Sequence, residues 1–264
     1  MNAEKPLDGL VVLVTRPKRQ AKNFCNLIEA NGGQALRFPT LKIRALSPSG
    51  SVFAKLENLK QFDWLVFISA NAVYFALKAC DNALFIPAHL KVAAIGKATA
   101  AALERSGIAV DLVPCDHFNS EAFLALPQMQ SVTGQRFLIV RGQGGREVLA
   151  DTLKQRGAQV QYVEVYQRLR PTVDIHIHLK VWRERGIDAV TIFSGESLTN
   201  FVAMLGDEGM ALFRNTPLLL AGERIAAQAE RAGFKNVNLA SNATDWALFE
   251  ALAKIADPGR GKEA

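Results

Sequence analysis

The sequence predicts an α/β fold of two similar parallel-sheet α/β/α domains, and three observations carry that expectation. Short β-branched runs alternate with amphipathic stretches closed by glycine, so the chain repeats strand, turn, helix, glycine, strand. The strand runs are apolar almost without interruption, which suits parallel strands covered by helices on both faces. The chain also matches itself at a fixed offset, the mark of an internal duplication. Arg16 falls on Arg141 and Gly32 on Gly157, 125 residues apart (141 − 16 and 157 − 32). Asp63 falls on Asp188 and Ser69 on Ser194 at the same offset, while Gly96 falls on Gly222 and Gly107 on Gly233 at 126.

Taken in order, LVTR at 13–16 is the end of the first strand. The helix after it has an apolar stripe of Phe24, Leu27 and Ile28 and stops at Gly32. FDWLVFISANAVYFAL at 62–77 reads as strand, polar turn and helix, and KVAAIGKATAAALERSGIAV at 91–110 repeats that rhythm. The second copy opens with RFLIV at 136–140 and turns through RGQGGREVL at 141–149. Its helix has the stripe Val148, Leu149 and Leu153 and ends at Gly157. DIHIHLK at 174–180 reads as a solvated linker or a helix entry. IDAVTIFSGESLTNFV at 187–202 and PLLLAGERIAAQAERAGFKN at 217–236 repeat the second and third units. Asp257-Pro258-Gly259-Arg260-Gly261 reads as a short flexible tail.

RGQGGREVL joins a strand to a helix through glycines, the arrangement in which backbone N–H groups hold a phosphate. Glu147 nevertheless stands where the dinucleotide fingerprint needs its third glycine, and Gly145-Arg146-Glu147 stands where a P-loop needs Gly-Lys-Ser/Thr. The counterpart RPKRQAKNF at 16–24 contains no glycine at all. A duplicated βα turn sharing one arginine therefore explains the stretch better than a nucleotide cradle, and its glycines read as freedom for a loop.

Open sheets of this kind bind ligands at the carboxyl ends of their strands. The turns there are Thr15-Arg16-Pro17, Ser69-Ala70-Asn71, Gly96-Lys97-Ala98-Thr99, Arg141 to Arg146, Ser194-Gly195-Glu196-Ser197 and Gly222-Glu223-Arg224. Each favourable helix N-terminus favours an anion by ~0.3–1 kcal/mol. Arg16, Lys97, Arg141, Arg146 and Arg224 add formal charge, so the strand ends suit a ligand with several carboxylates. Taken singly, Ser69 and Ser194 also read as plain N-caps.

Length and composition bound the rest. A chain of 264 residues, 49% hydrophobic and 21% charged, accommodates two domains of moderate size, and a net charge of +6 suits an anionic partner. Cys25, Cys80 and Cys115 are odd in number and lack C-x-x-C spacing, so they read as reduced core thiols and favour a cytoplasmic address. The first apolar run is too short for a secretory or membrane segment and carries Asp8. His176 and His178 would share a face on a strand, but no third ligand is evident, and no metal site is expected. Triad, zincin and paired-carboxylate motifs are lacking, and the basic residues are scattered without a nucleic-acid signature, so no nucleic-acid partner is expected.

With the copies aligned, the chain from about Leu10 to Leu252 resembles the uroporphyrinogen-III synthase family of tetrapyrrole biosynthesis. The resemblance is carried by an ordered set: LVTRP at 13–17 with FP at 38–39, FISANAV at 67–73, AAIGKATAAAL at 93–103, GREVLADTLKQRGA at 145–158, VEVYQR at 163–168 and IFSGESL at 192–198. It implies that the duplicated βαβ units are exchanged between two lobes joined by two extended linker strands. Domain one would then be 1–39 plus 168–264 and domain two 40–167, with Pro39 and Pro171 stiffening the crossings and a substrate cleft between the lobes.

The resemblance further implies a monomeric cyclising lyase that needs no cofactor. Its substrate would be hydroxymethylbilane, a linear chain of four pyrroles with eight carboxylates, closed with loss of water and inversion of ring D. Tyr166 would assist departure of the hydroxyl, since a phenol is protonated at neutral pH, or would pack at the interdomain hinge. Thr99 would bind a substrate carboxylate or cap its helix, and Ser69, Asn71 and Ser194 would face the cleft. Gly96, Lys97 and Gly222 belong to the same turns. The chain departs from the family in having Gly222-Glu223-Arg224-Ile225-Ala226 for Gly-Pro-Thr-Thr-Ala and Ile68 for a threonine, so a threonine contact from domain one is lost or replaced by Arg224. A non-catalytic two-lobed binding module for an anionic small molecule, or a glycosyltransferase taking a nucleotide sugar, would share much of this pattern.

Overall fold

The computed structural model describes residues 5–46 and 50–256, so the tail from Asp257 to Gly261 lies outside the described residues. The chain divides into two compact units, Met1–Lys42 with Leu169–Ala264 and Ile43–Arg168. It runs β1 (Val11–Val14), α1 (Lys18–Ala30) and β2 (Gln34–Arg37) in the first unit. The second unit holds β3 (Lys42–Ala45), α2 (Gly50–Glu57), β4 (Trp64–Phe67), α3 (Ala70–Ala79), β5 (Lys91–Ala94), α4 (Lys97–Glu104), α5 (Ser120–Ala125), β6 (Arg136–Gly142), α6 (Val148–Gln155) and β7 (Gln159–Leu169). The chain then returns for α7 (Ile175–Arg185), β8 (Ala189–Ile192), α8 (Gly195–Phe213), β9 (Leu218–Leu220), α9 (Glu223–Arg231), β10 (Val237–Leu239) and α10 (Asp245–Ala256).

The first sheet has the order β10-β9-β8-β1-β2 and the second β3-β7-β6-β4-β5. The pairings of β1 with β2 and β8, of β9 with β8 and β10, and of β6 with β4 and β7 are parallel, as is β4 with β5. Each sheet therefore mixes strands from both sequence copies. The correspondence extends to single residues: Ala93 bridges Leu112 in the second unit, and their partners at an offset of 126, Leu219 and Asn238, pair in the first. The duplicated aspartates have one shared role. Asp63 Oδ2 accepts the Arg136 N–H at 2.7 Å and Asp188 Oδ2 accepts the Val11 N–H at 2.8 Å, so each satisfies the opening donor of the neighbouring strand. Gly32 and Gly157, at φ +91° and +83°, turn the chain out of α1 and α6, where a Cβ would be strained.

Strand side chains alternate between two apolar layers, as parallel strands buried on both faces require. In the second unit Leu65, Phe67, Leu138 and Val140 join one cluster, while Trp64, Val66, Phe137 and Ile139 join the other. In the first, Leu13, Val190 and Ile192 face Trp182 and Phe201, while Val12 and Val14 face Phe24, Ile28 and Leu248.

Two expectations need correction, and a third is decided between its alternatives. Leu149 and Leu153 are buried on α6, but Val148 is exposed, because the helix begins there and its first residue turns off the core-facing stripe. Cys25 is buried, Cys80 half-buried and Cys115 exposed, so the last is not a core thiol, although all three are free. His176 and His178 lie on α7, which Asp174 caps by accepting the His176 N–H at 3.0 Å, so the stretch is a helix entry and they do not share a strand face.

Candidate functional site

The carboxyl ends of the strands gather the turns singled out in the sequence. Ser69 caps α3 by accepting the Ala72 N–H at 3.1 Å, and Ser194 caps α8 by accepting the Ser197 N–H at 3.1 Å. Gly96 and Gly222 stand at the N-caps of α4 and α9. In the second unit the Arg141–Arg146 turn borders a recess of ≈ 280 Å³, lined by Arg141, Arg146, Tyr162, Tyr166, Arg168 and the Gly144-Gly145 pair.

Tyr166 borders this recess from an irregular stretch of β7. Arg141 pairs with Glu164, but Gly142 pairs with Tyr166, so Val165 is an extra residue on β7. Strict alternation would put Tyr166 on the face of Val160 and Tyr162; the bulge moves it to the layer of Val163 and Val165. There it is 3% exposed, stacks on Phe75 with centroids 5.6 Å apart, and lies with its hydroxyl 3.2 Å from Ser69 Oγ. Gly142 packs flat against the ring, and a Cβ there would come within 2.5 Å of Tyr166 Cε2 and Cζ. Gly144 and Gly145, by contrast, take positive φ of +71° and +105°, so the glycines of RGQGGREVL serve two different purposes.

Arg141 is a buried cation with an acceptor on each of its three side-chain nitrogens. Its side chain is 4% exposed, with Nη1 2.8 Å from Glu147 Oε1, Nε 3.2 Å from the Gly142 carbonyl and Nη2 on the Gly144 carbonyl. Its guanidinium carbon lies 4.6 Å from the centre of the Tyr162 ring. The second Glu147 oxygen accepts the Tyr162 hydroxyl. That hydrogen bond holds the Glu147 carboxyl below its usual range, with Arg141 acting in the same direction. Burial first, and then the adjacent Glu147 carboxylate, push the Tyr162 phenol up to about 12. Arg146 pairs with Glu121 at the exposed rim.

The remaining sequence-derived residues are placed less centrally. Asn71 is half-buried in the first turn of α3, and Thr99 is 5% exposed, on the third residue of α4, with its N–H donating to the Gly96 carbonyl. Lys97 Nζ lies 5.2 Å from the Phe118 ring centre. In the first unit Arg16 pairs with Asp245 at the start of α10, and its guanidinium lies 3.5 Å over the Phe193 ring. Burial lowers its pKa against the attraction of Asp245. Ser194, Gly222 and the exposed Arg224 mark the ends of β8 and β9. Sequence reasoning missed Tyr162, and it met Glu147 only as a mismatch to a fingerprint. Tyr162 could have been found from its spacing, because it stands on the strand four residues before Tyr166. Among the described residues no group of three or more His, Cys, Asp or Glu could hold a metal ion, and no helix is long and apolar enough to cross a membrane.

Comparison with known proteins agrees across sequence and fold. A family model described as uroporphyrinogen-III synthase HemD matches residues 22–250. The uroporphyrinogen-III synthases of Salmonella typhimurium and Escherichia coli K12 are each 33% identical to this chain, over 91% of it and 99% of their own length. Among solved structures, a mutant uroporphyrinogen III synthase from the extreme thermophile Thermus thermophilus superposes with a TM-score of 0.62 at 20% identity, covering 94% of this chain and 99% of its own. The enzyme from Helicobacter pylori 26695 superposes with a TM-score of 0.59 at 14% identity, covering 91% and 97%. At such identities the two structures speak for the shared fold.

Proposed function

The chain belongs to the uroporphyrinogen-III synthase family, and from that premise we propose that it closes hydroxymethylbilane to uroporphyrinogen III with the residues at its strand ends. It is a cyclising lyase. Its substrate carries eight carboxylates and closes spontaneously to the uninverted isomer, so the catalyst must govern which carbon of ring D attacks. That is a task of orientation and electrostatic preorganisation more than of strong acid–base chemistry.

The observation that supports the residue assignment is that Tyr166, its hydroxyl 3.2 Å from Ser69 Oγ, lines one recess together with Arg141 and Arg146. At ≈ 280 Å³ the recess is smaller than sites for whole drug-sized ligands, roughly 300–1,000 Å³, so it holds one end of the linear tetrapyrrole. The pyrrole nitrogen lone pair breaks the C–O bond, the departing hydroxyl takes the Tyr166 proton and leaves as water, and loss of the pyrrole N–H proton, which restores the phenol, leaves a neutral azafulvene. Ring D attacks through its substituted carbon, and the spiro intermediate fragments and recloses with the ring inverted. Arg141 and Arg146 bind carboxylates in the recess, and Ser69, Asn71, Gly96, Lys97 and Thr99 serve the neighbouring turns. Arg16, Ser194, Gly222 and Arg224 supply the corresponding turns of the other sheet. The protein acts as a cytoplasmic monomer without a cofactor.

Hydroxymethylbilane generated in situ tests the reading. The wild-type chain yields the type III isomer, and Tyr166→Phe slows its formation at least tenfold with an unchanged circular dichroism spectrum. Type I product alone from the wild type sinks the enzyme assignment, and near-normal turnover by Tyr166→Phe removes the tyrosine from the mechanism.

A further inference from the structure

The Arg141–Glu147–Tyr162 cluster has the form of a carboxylate complex whose carboxylate is supplied by the protein. One Glu147 oxygen takes the Arg141 guanidinium and the other takes the Tyr162 hydroxyl, and both donors line the recess. The partners differ in freedom. The Arg141 side chain is 4% exposed and fixed by two backbone carbonyls, whereas Glu147 is 51% exposed and sits on the last residue before α6. The Nη2 edge of Arg141 is taken by the Gly144 carbonyl, which accepts from it. The Nη1 edge is the one a carboxylate can reach, and Glu147 occupies it.

We propose that Glu147 is a resident stand-in for a substrate carboxylate: it holds Arg141 and Tyr162 in their binding geometry, and an incoming carboxylate displaces it. The proposal rests on the uroporphyrinogen-III synthase reading of the recess and adds to it a positioning residue and a further carboxylate donor, Tyr162. Exchange keeps one anion on the buried guanidinium throughout, so Arg141 is never left without a counter-charge. Binding without exchange would place two carboxylates on one guanidinium edge. The depressed Glu147 carboxyl keeps the stand-in ionised across the neutral range.

The test is equilibrium dialysis with uroporphyrin III, the oxidised octacarboxylate, against the full-length wild type, Glu147→Gln and Asp151→Asn. Asp151 is exposed on α6, one turn further along, so its substitution removes the same charge from the neighbourhood without touching Arg141. The proposal expects Glu147→Gln to bind about tenfold tighter, with a matching fall in KM for hydroxymethylbilane, and Asp151→Asn to bind as the wild type does. Unchanged or weaker binding by Glu147→Gln overturns it, as does equal tightening in both variants, which would mark a plain charge effect. Thermal melts of Glu147→Gln establish that the isosteric variant is folded. A wild type that makes only type I product removes the functional reading beneath the proposal, and that outcome is scored separately from the dialysis.

Discussion

Replacing Gly142 with alanine adds one methyl group at the tightest contact around Tyr166. The new Cβ would lie 2.5 Å from two ring carbons and 3.0 Å from the hydroxyl, where ordinary contact begins near 3.4 Å. Gly142 is not among the positive-φ glycines, so the backbone accepts alanine and the whole effect is steric. The ring has little room to yield, being stacked on Phe75 and 3% exposed. Overpacking of this kind costs about 1–3 kcal/mol, and a shift of the ring by about 1 Å takes the hydroxyl out of reach of Ser69 Oγ. A displacement of that size in a positioned group lowers turnover by up to about a hundredfold. We therefore expect Gly142→Ala to lower the melting temperature by roughly 3–10 °C and type III formation by ten- to a hundredfold. The double variant Gly142→Ala/Tyr166→Phe should be no slower than Tyr166→Phe alone, because both changes remove the same hydroxyl from the same place. Near-normal turnover in Gly142→Ala, or a double variant slowed by the product of the two single effects, would refute the argument.

Three further outcomes follow from the same contacts. Ser69→Ala and Ser194→Ala should each lose about 0.5–2 kcal/mol in urea denaturation through a missing helix cap, but only Ser69→Ala should also lower kcat, since Ser69 alone touches Tyr166. Asp245→Ala should cost about 1–3 kcal/mol, because it leaves the Arg16 guanidinium largely enclosed without a counter-charge; a loss below about 0.5 kcal/mol would show that stacking on Phe193 suffices. Glu147 is depressed in the folded state, so its stabilisation is present above the ordinary carboxyl value of 4.5 and disappears as pH falls through the lower folded value. The urea midpoint of the wild type should accordingly fall more steeply below about pH 4.5 than that of Glu147→Gln, and parallel curves would contradict the assignment.

Much of the fold was legible because it rests on periodicity and self-similarity, which one sequence displays. Apolar strands, glycine stops after α1 and α6, and the offset linking Asp63 to Asp188 follow from local pattern, and the serine caps at Ser69 and Ser194 follow from residue type at a strand end. The site was legible only in part, since its decisive feature violates the period. Alternation along β7 pairs Tyr166 with Tyr162, whereas the extra Val165 turns the two rings into different layers. Gly142 looks like one more flexible glycine of RGQGGREVL, and its need arises from a ring 24 residues away along the chain (166 − 142). Arg16 and Arg141 are equivalent by offset, yet nothing local shows that α10 supplies a carboxylate to one and the βα turn itself to the other.

That last contrast bears on where the chemistry resides. At the offset of 125, Tyr166 corresponds to Leu41, Gly142 to Pro17 and Glu147 to Lys22. Leu41 is apolar and buried, so its side chain can donate no hydrogen bond, and Pro17 is the N-cap of α1. Arg16 has kept its place but is tied to Asp245 and Phe193, which joins the turn before α1 to the start of α10. The two copies thus share the sheet, the caps and the strand-opening aspartates, the features a βαβ unit needs in order to fold. They differ at the phenol that meets Ser69, at the glycine packed against it and at the source of the carboxylate that pairs with the arginine. A duplication preserves what packing demands of both copies, and specialisation is free to act where packing demands nothing. On this argument the proposed role of Tyr166 has no counterpart in the first unit, where Leu41 stands at the same offset.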